Sequence, residues 1–287
     1  MTSGYGEDPT PIRVRVDGLR VHCLTAGLEG PPVLLLHGGG LDSASLSYKY
    51  AIGPLARGHR VFAPDWPGYG ESEDRGIDHP MEFYAGFVGR LMESLTLERA
   101  SLVGLSLGGG AALGFALRSP VQVDKLVLVD SYGLGGDVPW GRFGYLLVHA
   151  PLIQDLTYAL LRRSHRMVRR SLYGVVYDRG VVSEGMVEEA YRLVYRPRAG
   201  RAFAAFQRNE VGLGGLRTNY VDRLQEISAP TLVVHSAHDA AVPVSWARKA
   251  QRLIAGSELR VLPECGHWPP RERPEEFNRI VAEILAR

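Results

Sequence analysis

Gly104-Leu105-Ser106-Leu107-Gly108 places a serine between two glycines, after an apolar run and at the start of a helical pattern. A strand that turns sharply into a helix at such a serine holds it in a strained conformation and lifts its hydroxyl over the sheet edge, and the flanking glycines relieve the crowding. The bland alternative is a Gly-rich helix start that merely packs closely, and the strand-turn-helix context weighs against it. A serine hydroxyl is a poor nucleophile at its free pKa. The chemistry therefore requires a base within hydrogen-bond reach and an acid to orient that base.

Nine histidines compete for the role of base. His267, in Glu264-Cys265-Gly266-His267-Trp268-Pro269, falls in a loop after the last expected strand, at the same sheet edge as the Ser106 turn. His22 falls in a strand, His59 in a turn, and His149 and His165 in helices outside the core, where structural roles suffice. The acid is expected one strand earlier. Asp239 follows the run TLVVHS directly, which gives the chain order Ser, Asp, His, and Asp130, at the end of the strand before, is the rival.

His37-Gly38-Gly39-Gly40 follows another apolar strand, and a glycine turn there can aim backbone N–H groups outward. With Ser106 it reads as an oxyanion hole formed by the N–H groups of Gly39 and Leu107, and His37 reads as a structural residue beneath the loop. Gly38, Leu105 and Trp268 are expected to line the substrate pocket. The chain has neither the Lys-Ser or Lys-Thr ending of a phosphate loop nor a dinucleotide-binding glycine pattern. His235 and His238 could suggest a metal, but no further ligand is evident from spacing. No metal or organic cofactor is expected.

These residues need a scaffold that brings distant loops to one edge. IRVRV (12–16) and LRVHCLT (19–25) read as a hairpin around Asp17-Gly18, and VLLLH (33–37) and RVFAP (60–64) as buried strands with a helix between them. A helix near 80–96, a strand at 101–105, a helix over about 107–118 and a strand at 125–130 follow. From 131 to 227 the chain has aromatic and Arg-rich helical stretches with no convincing core strand. Alternation then resumes with strands at 231–236 and 258–263 and helices near 244–254 and from Pro274. The expectation is an α/β fold: a mostly parallel eight-stranded sheet covered on both faces, a core of residues 1–130 and 228–287, and an inserted helical lid over 131–227.

Bulk properties fit a globular enzyme and narrow its partners. The net charge of +2, with 45% hydrophobic and 22% charged residues, favours no nucleic-acid partner. The basic stretch Leu161 to Arg170 reads as a solvated helix face. Two cysteines, Cys23 and Cys265, are too few for a disulfide framework. The N-terminus lacks the pattern of a secretion signal, and no apolar run is long enough for a membrane span, so a cytoplasmic protein is expected.

The glycine loop at His37, Asp65-Trp66-Pro67-Gly68-Tyr69-Gly70-Glu71-Ser72, the Ser106 turn, Asp239 and the Gly266-His267-Trp268 loop follow one another as in the α/β-hydrolase superfamily, which the chain resembles over nearly its whole length. The resemblance implies that Asp65 shapes the site floor. Serine at 106 argues against epoxide hydrolases and haloalkane dehalogenases, which use Asp there. His37 to Gly40, Cys265 to Trp268 and Glu276-Phe277-Asn278 are similar to the meta-cleavage-product hydrolases, which split a carbon–carbon bond in vinylogous 1,5-diketones. Those enzymes usually carry Asn-Ser-Met where this chain has Leu105-Ser106-Leu107, and a lid Arg for the substrate carboxylate where alignment places Ala190, with Arg192 two residues on. The departures put hydrolysis of a small carboxylic ester or lactone first and carbon–carbon cleavage second. A low-turnover ligand-binding receptor on the same fold is the reading from another class, and perhydrolase activity would share the triad.

Overall fold

The computed structural model describes residues 8–74, 76, 79–137, 141–150 and 152–287. Residues 1–7, which carry part of the N-terminal reading, and residues 138–140 and 151 of the expected lid lie outside the described residues.

Eight strands form one sheet: β1 (Thr10–Val16), β2 (Leu19–Ala26), β3 (Pro32–Leu36), β4 (Arg60–Pro64), β5 (Ala100–Leu105), β6 (Val123–Val129), β7 (Thr231–Ser236) and β8 (Glu258–Leu262), in the spatial order β1-β2-β4-β3-β5-β6-β7-β8. β2 runs antiparallel to β1 and β4, and every other pairing is parallel. The opening hairpin turns at Asp17 and Gly18, with φ of 51° and 74°. Positive φ at both positions makes a turn whose twist matches that of the strands, and glycine supplies one of them without strain.

Both faces of the parallel strands are buried. Leu34, Leu36, Leu102 and Leu128 pack beneath helices α1 (Met81–Ser94) and α2 (Leu107–Arg118), while Val33, Leu35, Val103 and Val127 face the opposite layer with Phe277, Ile280 and Ile284. This is the near-continuous apolar pattern of strands covered on both sides. The helix expected between β3 and β4 is two short turns, Ala44–Ser47 and Ile52–Ala56. The first begins where the Ser43 side chain accepts the Leu46 N–H, and it ends at Tyr48, whose fully buried side chain donates its hydroxyl to the Leu36 carbonyl at the end of β3.

Between β6 and β7 no described residue joins the sheet. This insertion carries α3 (Gly141–His149), α4 (Ile153–Arg162), α5 (His165–Leu172), α6 (Glu184–Val194) and α7 (Arg201–Glu210), followed by a small antiparallel ladder of Val211–Gly212 with Gly215–Leu216. The core closes with α8 (Val244–Leu253) and α9 (Pro274–Leu285). No helix among the described residues is long and apolar enough to cross a membrane.

Candidate active site

Ser106 sits at the junction of β5 and α2 with φ 50° and ψ −114°. A non-glycine residue in this region costs of order 1 kcal/mol or more and persists only where its surroundings over-determine it. They do so here. The Ser106 N–H donates to the Val129 carbonyl at 2.9 Å, and its carbonyl accepts from the N–H groups of Gly110 and Tyr132 at 3.1 and 3.0 Å. A Cβ at Gly104 would lie 2.3 Å from the Gly108 carbonyl oxygen, and one at Gly108 would lie 2.0 Å from the Leu36 oxygen. Only glycine lets the elbow close.

The glycine loop after β3 lies against this elbow, since a Cβ on Gly38 would be 3.6 Å from Ser106 Cβ and 3.7 Å from Leu105. His37 is fully buried, donating Nδ1–H to the Gly38 carbonyl at 2.8 Å and accepting the Trp66 N–H at Nε2, so it supports the loop from below. The N–H groups of Gly39 and Leu107 donate to no protein acceptor among the described residues. An N–H left open at such a point is suited to a developing oxyanion.

His267 and Asp239 meet from the loops after β8 and β7, with Nδ1 2.7 Å from Asp239 Oδ2. Asp239 Oδ1 also accepts the N–H groups of Ala241 and Val242, at 2.7 and 3.0 Å. Burial pushes the Asp239 carboxyl up, but the hydrogen bond and charge of His267 and these two N–H groups outweigh it and hold the carboxyl below its usual range. Burial likewise works against the His267 cation, yet Asp239 raises it above the ordinary histidine value of 6.5. With Nδ1–H held by the carboxylate, Nε2 is the nitrogen left to take a proton.

Ser106 and His267 open onto one cavity of about 470 Å³, which Gly38, Gly39, Leu105 and Trp268 also line. Phe203 of α7 covers the glycine loop, its ring 2.5 Å from where a Gly39 Cβ would stand. Insertion side chains Gln154, Thr157, Tyr158 and Ser171 supply polar groups to the wall, and among the described lining residues there is no Lys or Arg. Ala190 is fully buried, whereas Arg192 is exposed and paired with Glu188 at 3.0 Å. Neither brings a cation to the cavity.

Two residues escaped the sequence reading. Asp42 is buried and accepts from the Gly38 N–H at 2.9 Å and from the Ser47 hydroxyl, which in turn accepts Trp268 Nε1–H at 2.8 Å. The chain Gly38-Asp42-Ser47-Trp268 thus ties the glycine loop to the His267 loop, and the available signal was an Asp two residues past the glycine turn with a Ser five residues further on. Glu272 accepts the N–H groups of Gly266, Tyr177 and Asp178, which locks the His267 loop to the insertion.

The spacing argument about His235 requires correction. His238 is exposed and stacks on Tyr177 at 4.3 Å between ring centroids, away from any pair with His235. Two carboxylates approach His235 instead, for ligand atoms of Asp130, His235 and Asp239 lie within 4.8 Å of one another. Spacing places Asp239 four residues after His235, but it could not show Asp130, which arrives from another strand. Asp65, by contrast, accepts from His22, Ala44 N–H and Glu71 N–H at 2.8 Å each and does not line the cavity.

Comparison with known proteins identifies the fold family. The model of the alpha/beta hydrolase fold matches residues 31–274. The chain is 30% identical over 272 residues to 2-hydroxy-6-oxo-2,4-heptadienoate hydrolase of Pseudomonas putida, covering 90% of each chain. It is 32% identical over 275 residues to 2-hydroxy-6-oxo-6-phenylhexa-2,4-dienoate hydrolase of Comamonas testosteroni, covering 92% of this chain and 91% of that one. Among solved structures, a meta-cleavage product hydrolase from Pseudomonas fluorescens superposes with a TM-score of 0.80 at 27% identity, covering 95% of this chain and 96% of the other. The chain belongs to the α/β-hydrolase fold family.

Proposed function

We propose that the protein is a serine-dependent hydrolase that cleaves the carbon–carbon bond of a vinylogous 1,5-diketone acid of the meta-cleavage type. The support is the run of relatives at about 30% identity over nearly the full chain, named as hydrolases of 2-hydroxy-6-oxo-dienoates or of 2-hydroxymuconate semialdehyde. The comparisons therefore reverse the order of the two readings drawn from sequence, which put ester hydrolysis first.

In this reading the Ser106 Oγ bonds to the ketone carbon while His267 Nε2 takes its proton. Gly39 and Leu107 N–H groups hold the oxyanion. The bond to the neighbouring carbon then breaks, its electron pair passing into the conjugated enone to give a dienolate, which takes up the proton that His267 had accepted from Ser106. Water, deprotonated by His267, releases the acyl group as a carboxylic acid. The insertion acts as a lid, with Phe203 and the wall from Gln154 to Ser171 shaping the pocket. With no arginine among the described residues of that wall, the substrate carboxylate is held by neutral donors such as Gln154 and Tyr158, which costs affinity.

The ester reading keeps one observation in its favour: a mostly apolar cavity with no Lys or Arg among its described lining residues suits a neutral ester. Turnover of a synthetic 2-hydroxy-6-oxo-dienoate beside short aryl esters decides between them. We expect the diketone acid to lead in kcat/KM by at least about tenfold, a gap of ~1.4 kcal/mol, with Ser106→Ala lowering turnover at least about 10³-fold and Arg192→Ala leaving it within about twofold. Faster ester turnover would return the ester reading to first place.

A further inference from the structure

Behind the Asp239–His267 pair, the ends of β6 and β7 bury two titratable side chains that the proposed reaction does not use. Asp130 has no exposure and takes φ 41°, a left-handed conformation for a non-glycine residue. Its carboxylate accepts the backbone N–H of Ser236 at 2.7 Å and the Ser236 hydroxyl at 2.8 Å. His235, equally buried, has Nε2 at 3.0 Å from the Val242 carbonyl. A carbonyl can only accept, so Nε2 carries hydrogen.

That leaves Nδ1, which faces Asp130 Oδ1 at 3.4 Å and is otherwise without a hydrogen-bond partner among the described residues. In a neutral imidazole protonated at Nε2, Nδ1 is a bare lone pair. A lone pair opposed to an ionised carboxylate oxygen is repulsive. A second ionised carboxylate, Asp239, lies 3.8 Å from the other side of the ring, and two like charges in one buried cluster disfavour each other strongly.

We propose that Asp130 and His235 hold one buried proton between them at neutral pH, so that the pair is electrically neutral and Asp239 presents the cluster's one negative charge to His267. Asp130 and His235 are then positioning residues: they neutralise the ground beneath the acid instead of touching the substrate. Burial raises the Asp130 carboxyl and Asp239 raises it too, while His235, His267 and the Ser236 N–H lower it; the net is an upward displacement to about 6, in the same direction as the geometry. The other titratable groups about the pair and its neighbours are His267 and Cys265 from the loop after β8 and Asp42 from the loop after β3.

The shared proton is a property of the fold, while its effect on His267 rests on the serine-hydrolase reading, so two measurements separate them. On the full wild-type chain at neutral pH, the ring 15N shifts of His235 and the 13Cγ shift of Asp130 should show either an imidazolium protonated at both nitrogens or a protonated carboxyl. A neutral His235 beside an ionised Asp130 overturns the proposal. In Asp130→Asn the ring should show the neutral Nε2–H form, its Nδ1 accepting from the amide. The acid limb of kcat/KM in this variant should stay within about 0.3 pH unit of wild type even where kcat falls, because a neutral amide replaces half of a neutral pair. A downward move of about one unit would mean that a full negative charge had been removed from beside His267, and that too overturns it.

Discussion

At the residue scale, the electrostatics of His267 set the pH behaviour expected of the proposed reaction. As a base it must be neutral, and Asp239 stabilises its cation against the opposing effect of burial, so its pKa lies above 6.5. Turnover should therefore rise with pH through a midpoint above that value and be lost below it. In Asp239→Asn the stabilising charge is gone, so the midpoint should move down, and kcat should fall by roughly 10⁴ as the imidazole takes the wrong tautomer. A kcat/KM profile on wild type and variant checks both, and an unmoved limb would detach Asp239 from the base. The buried thiol of Cys265, two residues before His267, is pushed well up by burial and so lacks the thiolate character of a competing nucleophile.

At the scale of elements, the elbow depends on how closely α2 approaches β3. Three successive glycines, Gly108, Gly109 and Gly110, open α2, and glycine in a helix costs roughly 1 kcal/mol each relative to Ala. The compensation is contact: at Gly108 a methyl group would meet the backbone oxygen of Leu36, which no rotamer change can move aside. Gly108→Ala should therefore destabilise the protein by about 3 kcal/mol and displace the Leu107 N–H along with the start of α2. Urea unfolding of the variant measures the first, and loss of kcat with little change in KM would report the second.

At the scale of the whole molecule, the insertion and the core share the site through a few fastenings. Glu272, just before α9, receives N–H groups from Tyr177 and Asp178 in the insertion and from Gly266 beside His267. Its side chain is buried, so Glu272→Ala would strand three backbone donors away from water. We expect a loss of about 3 kcal/mol in stability together with a fall in kcat, since the loop carrying His267 loses its anchor. Glu272→Gln, which keeps one acceptor oxygen able to serve the Tyr177 and Asp178 N–H groups, should recover part of each. Equal damage from both variants would show that charge, and not the acceptor geometry, fastens the insertion.

The order of strands and helices, the turn at Asp17-Gly18 and the candidate residues Ser106, Asp239 and His267 were legible because each rests on local pattern: alternation of buried runs, glycines where φ or close approach demands them, and side chains placed directly after strands. Helix boundaries such as Leu107–Arg118 followed from the same signals. Three features were set only by the tertiary structure, since each joins residues from separate strands or elements. Asp42 reaches Trp268 through Ser47, Asp130 meets His235 across β6 and β7, and Phe203 closes over Gly39 from a helix that periodicity alone could not dock. The absence of an arginine from the described cavity wall is of the same kind. Sequence showed Ala190 and Arg192 as neighbours, but which of them faces inward depends on the rotation of α6 against the core, and burial of the small apolar Ala190 turned the charged Arg192 to solvent.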